Sequence, residues 1–131
     1  DLKQDNQQDA EDESTLKPPN KVTLYLSCKG LPNMDLTSLT DPMVKVWLRE
    51  EKNPDWTFHG QTEIIKNNLD PDFKESFTLS YYFEKQQLIK FEVYNEDNDN
   101  QFEIVGIHET TFAKIMSAPK QILSAKLELP G

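Results

Sequence analysis

The chain has 131 residues, 23 acidic against 14 basic side chains, a net charge of −9 and a single cysteine. That charge balance excludes a general nucleic-acid binder, which needs a basic surface against phosphates. One cysteine excludes an internal disulfide framework and suits a reducing, cytosolic compartment, while no apolar run approaches the ~18 residues of a membrane-spanning helix.

Residues 1–20 (DLKQDNQQDAEDESTLKPPN) hold six Asp or Glu against Lys3 and Lys17. Acidic, Gln-rich and nearly free of apolar side chains, they read as a disordered tail or linker and are the opposite of a secretory signal. From residue 21 the texture changes, and 21–131 has the length of one domain. Val22, Leu24, Leu26 and Cys28 alternate with polar residues, the period of a strand. Similar runs follow at Met43–Leu48, Thr57–Lys66, Ser76–Tyr82 and Leu88–Tyr94, with weaker ones at Ile104–Thr111 and Ile122–Leu129. In Leu88–Tyr94 the residues Ile89, Phe91 and Val93 share one face, which suits a core. Turn residues separate the runs, among them Lys29-Gly30, Pro32-Asn33, Asn53-Pro54-Asp55 and Asn67–Asp72. Only Thr111–Ser117 reads as a short helix. Seven turn-punctuated strands predict an antiparallel β-sandwich, an architecture that gathers distant loops at its two ends.

Two of those loops are acidic. One runs Asp35-Leu36-Thr37-Ser38-Leu39-Thr40-Asp41-Pro42, and the other runs from Asn95 to Glu103 (NEDNDNQFE). Each begins where an apolar run ends, so a sandwich would bring several carboxylates into one small volume. Like charges that close repel unless a cation neutralises them, and hard oxygen donors on flexible loops suit calcium. An EF-hand is excluded: counted from Asn95, position 6 is Asn100 instead of Gly, position 12 is Gly106 instead of Glu, and the flanks read as strands.

Three ordered motifs carry a family resemblance over residues 21–131. Leu31-Pro32-Asn33-Met34-Asp35 followed by Asp41-Pro42-Met43-Val44-Lys45-Val46 is similar to L-P-x-x-D…D-P-Y-V-K-V. Leu69-Asp70-Pro71-Asp72-Phe73, then Phe77, is similar to L-N-P-x-W/F…F. Phe91-Glu92-Val93-Tyr94-Asn95-Glu96-Asp97, then Glu103-Ile104-Val105-Gly106, is similar to F-x-V-Y-D-x-D…D-x-I-G. The chain thus resembles a C2 domain. Val22–Gly30, Thr62–Leu69, Tyr82–Glu84 and Leu88–Val93 make it most similar to the first C2 domain of copines, which would make it one module of a larger protein. The resemblance implies an eight-stranded antiparallel Greek-key sandwich, of which seven strands are readable.

By that resemblance, five positions bind calcium: Asp35, Asp41, Asn95, Asp97 and Glu103. Asn95 and Glu103 stand where the family usually has Asp. An amide offers one neutral carbonyl oxygen, and the longer Glu103 must fold back or bind a shifted ion. Asp99 would add an oxygen, and the backbone carbonyls of Met34 and Glu96 complete the set. The implied function is calcium-dependent binding of anionic, phosphatidylserine-like membranes from the cytoplasm, since a bound cation inverts the local field. Leu36, Leu39 and Phe102 are the expected membrane-inserting side chains; a polar tip at Asp99 and Asn100 keeps insertion shallow. The alternative is a calcium-independent C2 domain that binds other proteins. With Lys45 and Lys66 as isolated cations and no dense basic patch, strong calcium-independent lipid binding is not expected.

The remaining residues point to no enzyme. His59 and His108 lack a companion set for zinc. There is no nucleophile–base arrangement, no phosphate-binding glycine loop, and no electropositive setting that would activate Cys28, which reads as a buried small hydrophobe. Trp47 and Trp56 are expected in or beside the core.

Overall fold

A computed structural model describes residues 20–35, 37–97 and 100–130. Of the expected tail over 1–20, residues 1–19 lie outside the described residues, while Asn20 already opens the first strand. Six strands form in chain order: β1 (Asn20–Ser27), β2 (Pro42–Glu50), β3 (Thr57–Gln61), β4 (Asp72–Tyr81), β5 (Gln87–Asp97) and β6 (Gln101–Thr111). A short α-helix, α1 (Phe112–Met116), follows, with Thr111 Oγ1 accepting from the Lys114 N–H as its N-cap, and then a 3-10 turn at Pro119–Gln121.

The strands build two antiparallel sheets. One pairs β1 with β4; the other has the order β3-β2-β5-β6. Period-two alternation decides which side chains face inward. Val22, Leu24 and Leu26 of β1 pack against Val44, Val46 and Leu48 of β2, Phe73, Phe77 and Leu79 of β4, and Ile89, Phe91 and Val93 of β5. Two clusters result. One centres on Val46, Ile89 and Phe112, all 1% exposed or less. The other, Leu31, Val44, Phe73, Val93 and Val105, lies beneath the 31–41 and 62–70 loops and touches Met34, Ile65 and Leu69. Truncating a side chain buried this deeply to Ala costs ~2–5 kcal/mol, so the loops stand on a firm floor. Cys28 lies against this second cluster, and burial pushes its thiol up to about 11.

The structure moves several expected boundaries. β3 stops at Gln61, short of Lys66: the regular ladder is lost there, although the Thr62 and Ile65 N–H groups still donate to the Val44 and Pro42 carbonyls of β2. β5 runs on to Asp97, carrying the ladder into the acidic segment. The expected seventh strand, Ile122–Leu129, is an extended segment joined to β6 only through Ile107 and Glu128, whose backbones exchange hydrogen bonds of 2.7 and 2.8 Å. Leu127 packs on the core, whereas Ile122, Leu123 and Leu129 remain exposed. A Cβ on Gly106 would lie 2.6 Å from Leu127 Cβ, so only glycine permits that crossing. Of the eight strands the resemblance implies, six are therefore formed among the described residues.

Candidate functional site

The inward-facing series Ile89, Phe91, Val93 on β5 continues to Asn95, two residues before the strand ends at Asp97. Asn95 is fully buried, and a buried carboxamide must use both its ends. Its oxygen accepts from the Asp41 N–H at 2.8 Å. Its nitrogen donates to Glu103 Oε1 at 2.9 Å and to Asp35 Oδ1 at 3.3 Å. The Asp41 N–H fixes this orientation, since only an oxygen can accept there. Turning the amide over would set two donors face to face, at ~1–3 kcal/mol for the orphaned group.

A bulge brings Glu103 to that amide. On β6, Val105 is left unpaired between Gly106, opposite Val93, and Ile104, opposite Tyr94. The extra residue places Glu103 directly across from Asn95. On the other side, Thr40 holds the 31–41 loop. It is fully buried, its hydroxyl donates to the Pro32 carbonyl at 2.7 Å, and it accepts from the Met34 N–H at 2.9 Å. Those bonds set Asp35 beside Asn95. The Glu96 N–H donates to the Asp41 carbonyl at 3.0 Å, closing the junction between β5 and the loop.

A third segment, 62–70, completes the site. The Asn67 N–H donates to Asp41 Oδ1 at 2.7 Å, and the Asn67 side-chain oxygen accepts from the Leu39 N–H at 3.2 Å. Asn67 has a φ of 53°, the left-handed conformation that asparagine tolerates in turns. Next to it, Lys66 Nζ lies 2.6 Å from Glu96 Oε1 and 3.7 Å from Asp41 Oδ2. The hydrogen bond to Glu96, with the charges of Glu96 and Asp41, holds the Lys66 ammonium above its ordinary pKa. The Lys66 side chain is nonetheless 65% exposed, against 17% for Asp41 and 13% for Glu96, so water screens the pair.

The expected residues thus divide by place. Asp35, Asp41, Asn95 and Glu103 come together, with Glu96 alongside. Asp97 stands exposed at the end of β5, opposite Gln101. Leu39 and Phe102 are 41% and 40% exposed at the same end. Leu36 and Asp99 lie outside the described residues. Sequence reasoning gives Lys66 only an isolated headgroup contact and Asn67 only a turn; the Asn67-Asn68 signal marks the turn but not that it folds back onto Asp41.

Carboxylate oxygens are the right donors for calcium. Yet among the described residues no three His, Cys, Asp or Glu side chains are arranged to hold an ion. The group standing between Asp35 and Glu103 is the Asn95 amide nitrogen, itself a donor. The carboxylates fit a hard cation; the Asn95 amide, as it is held, does not.

The outer face of the four-stranded sheet handles charge differently. Glu92 Oε1 accepts from Trp47 Nε1–H at 2.6 Å and from the Tyr94 hydroxyl at 3.0 Å, and Lys90 Nζ lies 3.8 Å from Glu92 Oε2. Lys90 also sits over the rings of Trp47 and Trp56, at 5.5 and 4.8 Å from their centroids. Both tryptophans lie beside the core on this face. Desolvation, with the hydrogen bond to and the charge of Glu92, pushes Tyr94 up to about 12.

Comparison with known proteins places this geometry. A family model described as C2 domain matches residues 21–127. Copine-D of Dictyostelium discoideum is 34% identical over 109 residues, covering 78% of this chain and 21% of the relative. Nicotinic receptor-associated protein 1 of Caenorhabditis elegans is 31% identical over 122 residues, covering 77% and 19%. The chain thus spans about a fifth of the length of the curated relatives it matches. Among solved structures, a C2 domain of plant extended synaptotagmin 1 superposes with a TM-score of 0.56 at 28% identity, over 71% of this chain and 69% of that one. A calcium-bound structure of the paired C2 domains of extended synaptotagmin 2 gives 0.57 at 18% identity, over 77% and 37%, a likeness of fold alone.

Proposed function

We infer that this chain, which belongs to the C2 domain family, is a non-catalytic targeting module that docks its loop end on anionic phospholipid with the help of calcium. Copine relatives over the same region support a place within a larger, copine-like protein, and by the family resemblance its membranes are those facing the cytoplasm. The observation that carries the reading is a shortage of positive charge. Asp35, Asp41, Glu96 and Glu103 are gathered around one neutral amide and one screened ammonium.

Asp35, Asp41, Asp97 and Glu103 would hold the ion, with the backbone carbonyls of Met34 and Glu96 and, by resemblance, Asp99. Calcium, when bound, supplies positive charge at a rim that otherwise repels anionic headgroups. Asn95 organises this set, holding Asp35 and Glu103 together and Asp41 in line by its buried hydrogen bonds. Leu39 and Phe102 present apolar surface worth about 25 cal/mol per Å² once covered by lipid, and Leu36 belongs with them by sequence.

Cosedimentation with phosphatidylserine vesicles tests this reading. Millimolar calcium is expected to drive partitioning, Asp97→Ala to weaken it strongly, and Leu39→Ala with Phe102→Ala to weaken it about 3- to 10-fold through lost apolar burial. No calcium-dependent partitioning would sink it. The second reading, a calcium-independent protein-binding domain, is favoured by one observation: Asn95 and Lys66 already tie the loops together without an ion. It predicts a melting temperature unmoved by calcium, because a ligand of the native state raises it.

A further inference from the structure

At the loop end, one cation already sits on the acids. Lys66 Nζ reaches both Glu96 and Asp41, the residue whose remaining oxygen is taken by the Asn67 N–H. Two features suit it to leave. The side chain is 65% exposed, so its charge is easily rehydrated. And the 62–70 segment does not depend on it: Asn67 N–H to Asp41, Asn68 N–H to the Thr40 carbonyl at 2.9 Å and Ile65 N–H to the Pro42 carbonyl at 3.0 Å keep the backbone in place when the side chain swings away.

We propose that Lys66 is an internal competitor at the cation site, occupying Asp41 and Glu96 in the metal-free protein and released by an arriving cation to meet an anionic headgroup. The inference rests on the calcium reading above and adds its regulation. Two like charges cannot share Asp41 at close range without repulsion. Lys66 therefore yields its place, and its four-carbon stem carries the ammonium outward. The same side chain then opposes calcium uptake and favours the membrane, which no purely structural lysine does. It sets a threshold: Asp41 and Glu96 stay partly neutralised at low calcium, and the domain exposes an extra cation only once calcium is held.

The test uses the full chain with Lys66→Met and Lys66→Arg. Calcium affinity is measured by titration calorimetry, and vesicle affinity by cosedimentation with phosphatidylserine vesicles at saturating calcium. Lys66→Met is expected to bind calcium about 3-fold or more tighter and, at saturation, to bind vesicles about 3-fold weaker; Lys66→Arg keeps both wild-type values. Matching calcium-free circular dichroism melts check that the variants fold. Unchanged or weaker calcium binding by Lys66→Met overturns the proposal. The two readings fail separately. Uptake by Lys66→Met but not by wild type supports the competitor and sinks calcium-dependent targeting by the native chain. Equal uptake by both sinks the competitor alone.

Discussion

The loop end and the aromatic face of the four-stranded sheet both confront carboxylates with little water, and they resolve the problem in opposite ways. On the sheet face one carboxylate, Glu92, has an indole N–H, a phenol O–H and an ammonium, with Lys90 further steadied by two indole rings. Donors outnumber acids, and the cluster is closed. At the loop end four carboxylates, Asp35, Asp41, Glu96 and Glu103, have neutral donors in Asn95, Asn67 and Ser38 but one ammonium between them. Asp35 and Glu103 share one amide group, and Asp41 and Glu96 share one exposed lysine. Strands alone supply the first arrangement; the second joins the ends of β5 and β6 to two loops. The lesson is that spare binding capacity for a cation lies where positive charge runs short, and the sheet face, although rich in charge, has none to offer.

The largest expected effect comes from Asn95→Asp. It removes the donor that bridges Asp35 and Glu103 and adds a like charge in a fully buried place. Urea unfolding in calcium-free buffer should show a loss of about 2–4 kcal/mol. Calcium should restore much of it, so the rise in melting temperature on adding calcium exceeds that of the wild type. A calcium-insensitive Asn95→Asp would remove the contrast between the two regions.

Glu92→Ala comes next. It leaves the Trp47 N–H and the Tyr94 hydroxyl without their acceptor and should cost about 1–2 kcal/mol in the same unfolding assay. Because this cluster is closed, the calcium-induced shift in melting temperature should equal that of the wild type. Coupling between Glu92→Ala and calcium would show that the two regions are not independent.

The effect confined to alkaline pH, and therefore absent near neutrality, is a pH dependence from Cys28 beside the core below the loops. Burial raises its folded-state pKa from 9.0 to about 11, so the folded chain keeps the proton while the unfolded chain loses it. The stability this provides is fully present below pH 9 and is lost as pH climbs toward 11. Unfolding free energies measured across that window should decline in the wild type and decline less steeply in Cys28→Ala. Equal slopes would place the thiol in water.

Much of this arrangement was legible in the sequence. Alternation identified the inward faces, and the parity of Ile89, Phe91 and Val93, carried two residues further, points Asn95 inward. The spacing of Asp35 and Asp41 from Asn95, Asp97 and Glu103 predicts two acidic loops, but Asn95, Asp97 and Glu103 stand on the paired ends of β5 and β6. What alternation misses are contacts made across the grain of the strands. Lys66 and Asn67 reach Asp41 because the chain leaves β3 at Gln61, and nothing in Thr62–Lys66 distinguishes a departing chain from a longer strand. Ile122–Leu129 errs the other way. Its alternation is real, but apart from the Ile107–Glu128 bridge no ladder forms along it among the described residues, and most of its apolar residues face solvent. Asn95 shows a further limit. The residue type says that an amide is present, and only the Asp41 N–H says which end of it meets the acids.

The unpaired Val105 gives β6 two reading frames. Thr110, His108 and Gly106 stand opposite the inward-facing residues of β5, all even-numbered; past the bulge the parity turns odd, and Glu103 takes the place across from Asn95. Drawn into the ladder, Val105 would put Ile104 there and send Glu103 to the opposite face of the sheet. The acidity of the loop end is therefore stored as strand phase as much as residue identity. Two chains with the same letters in this segment, one bulged and one not, would present different chemistry.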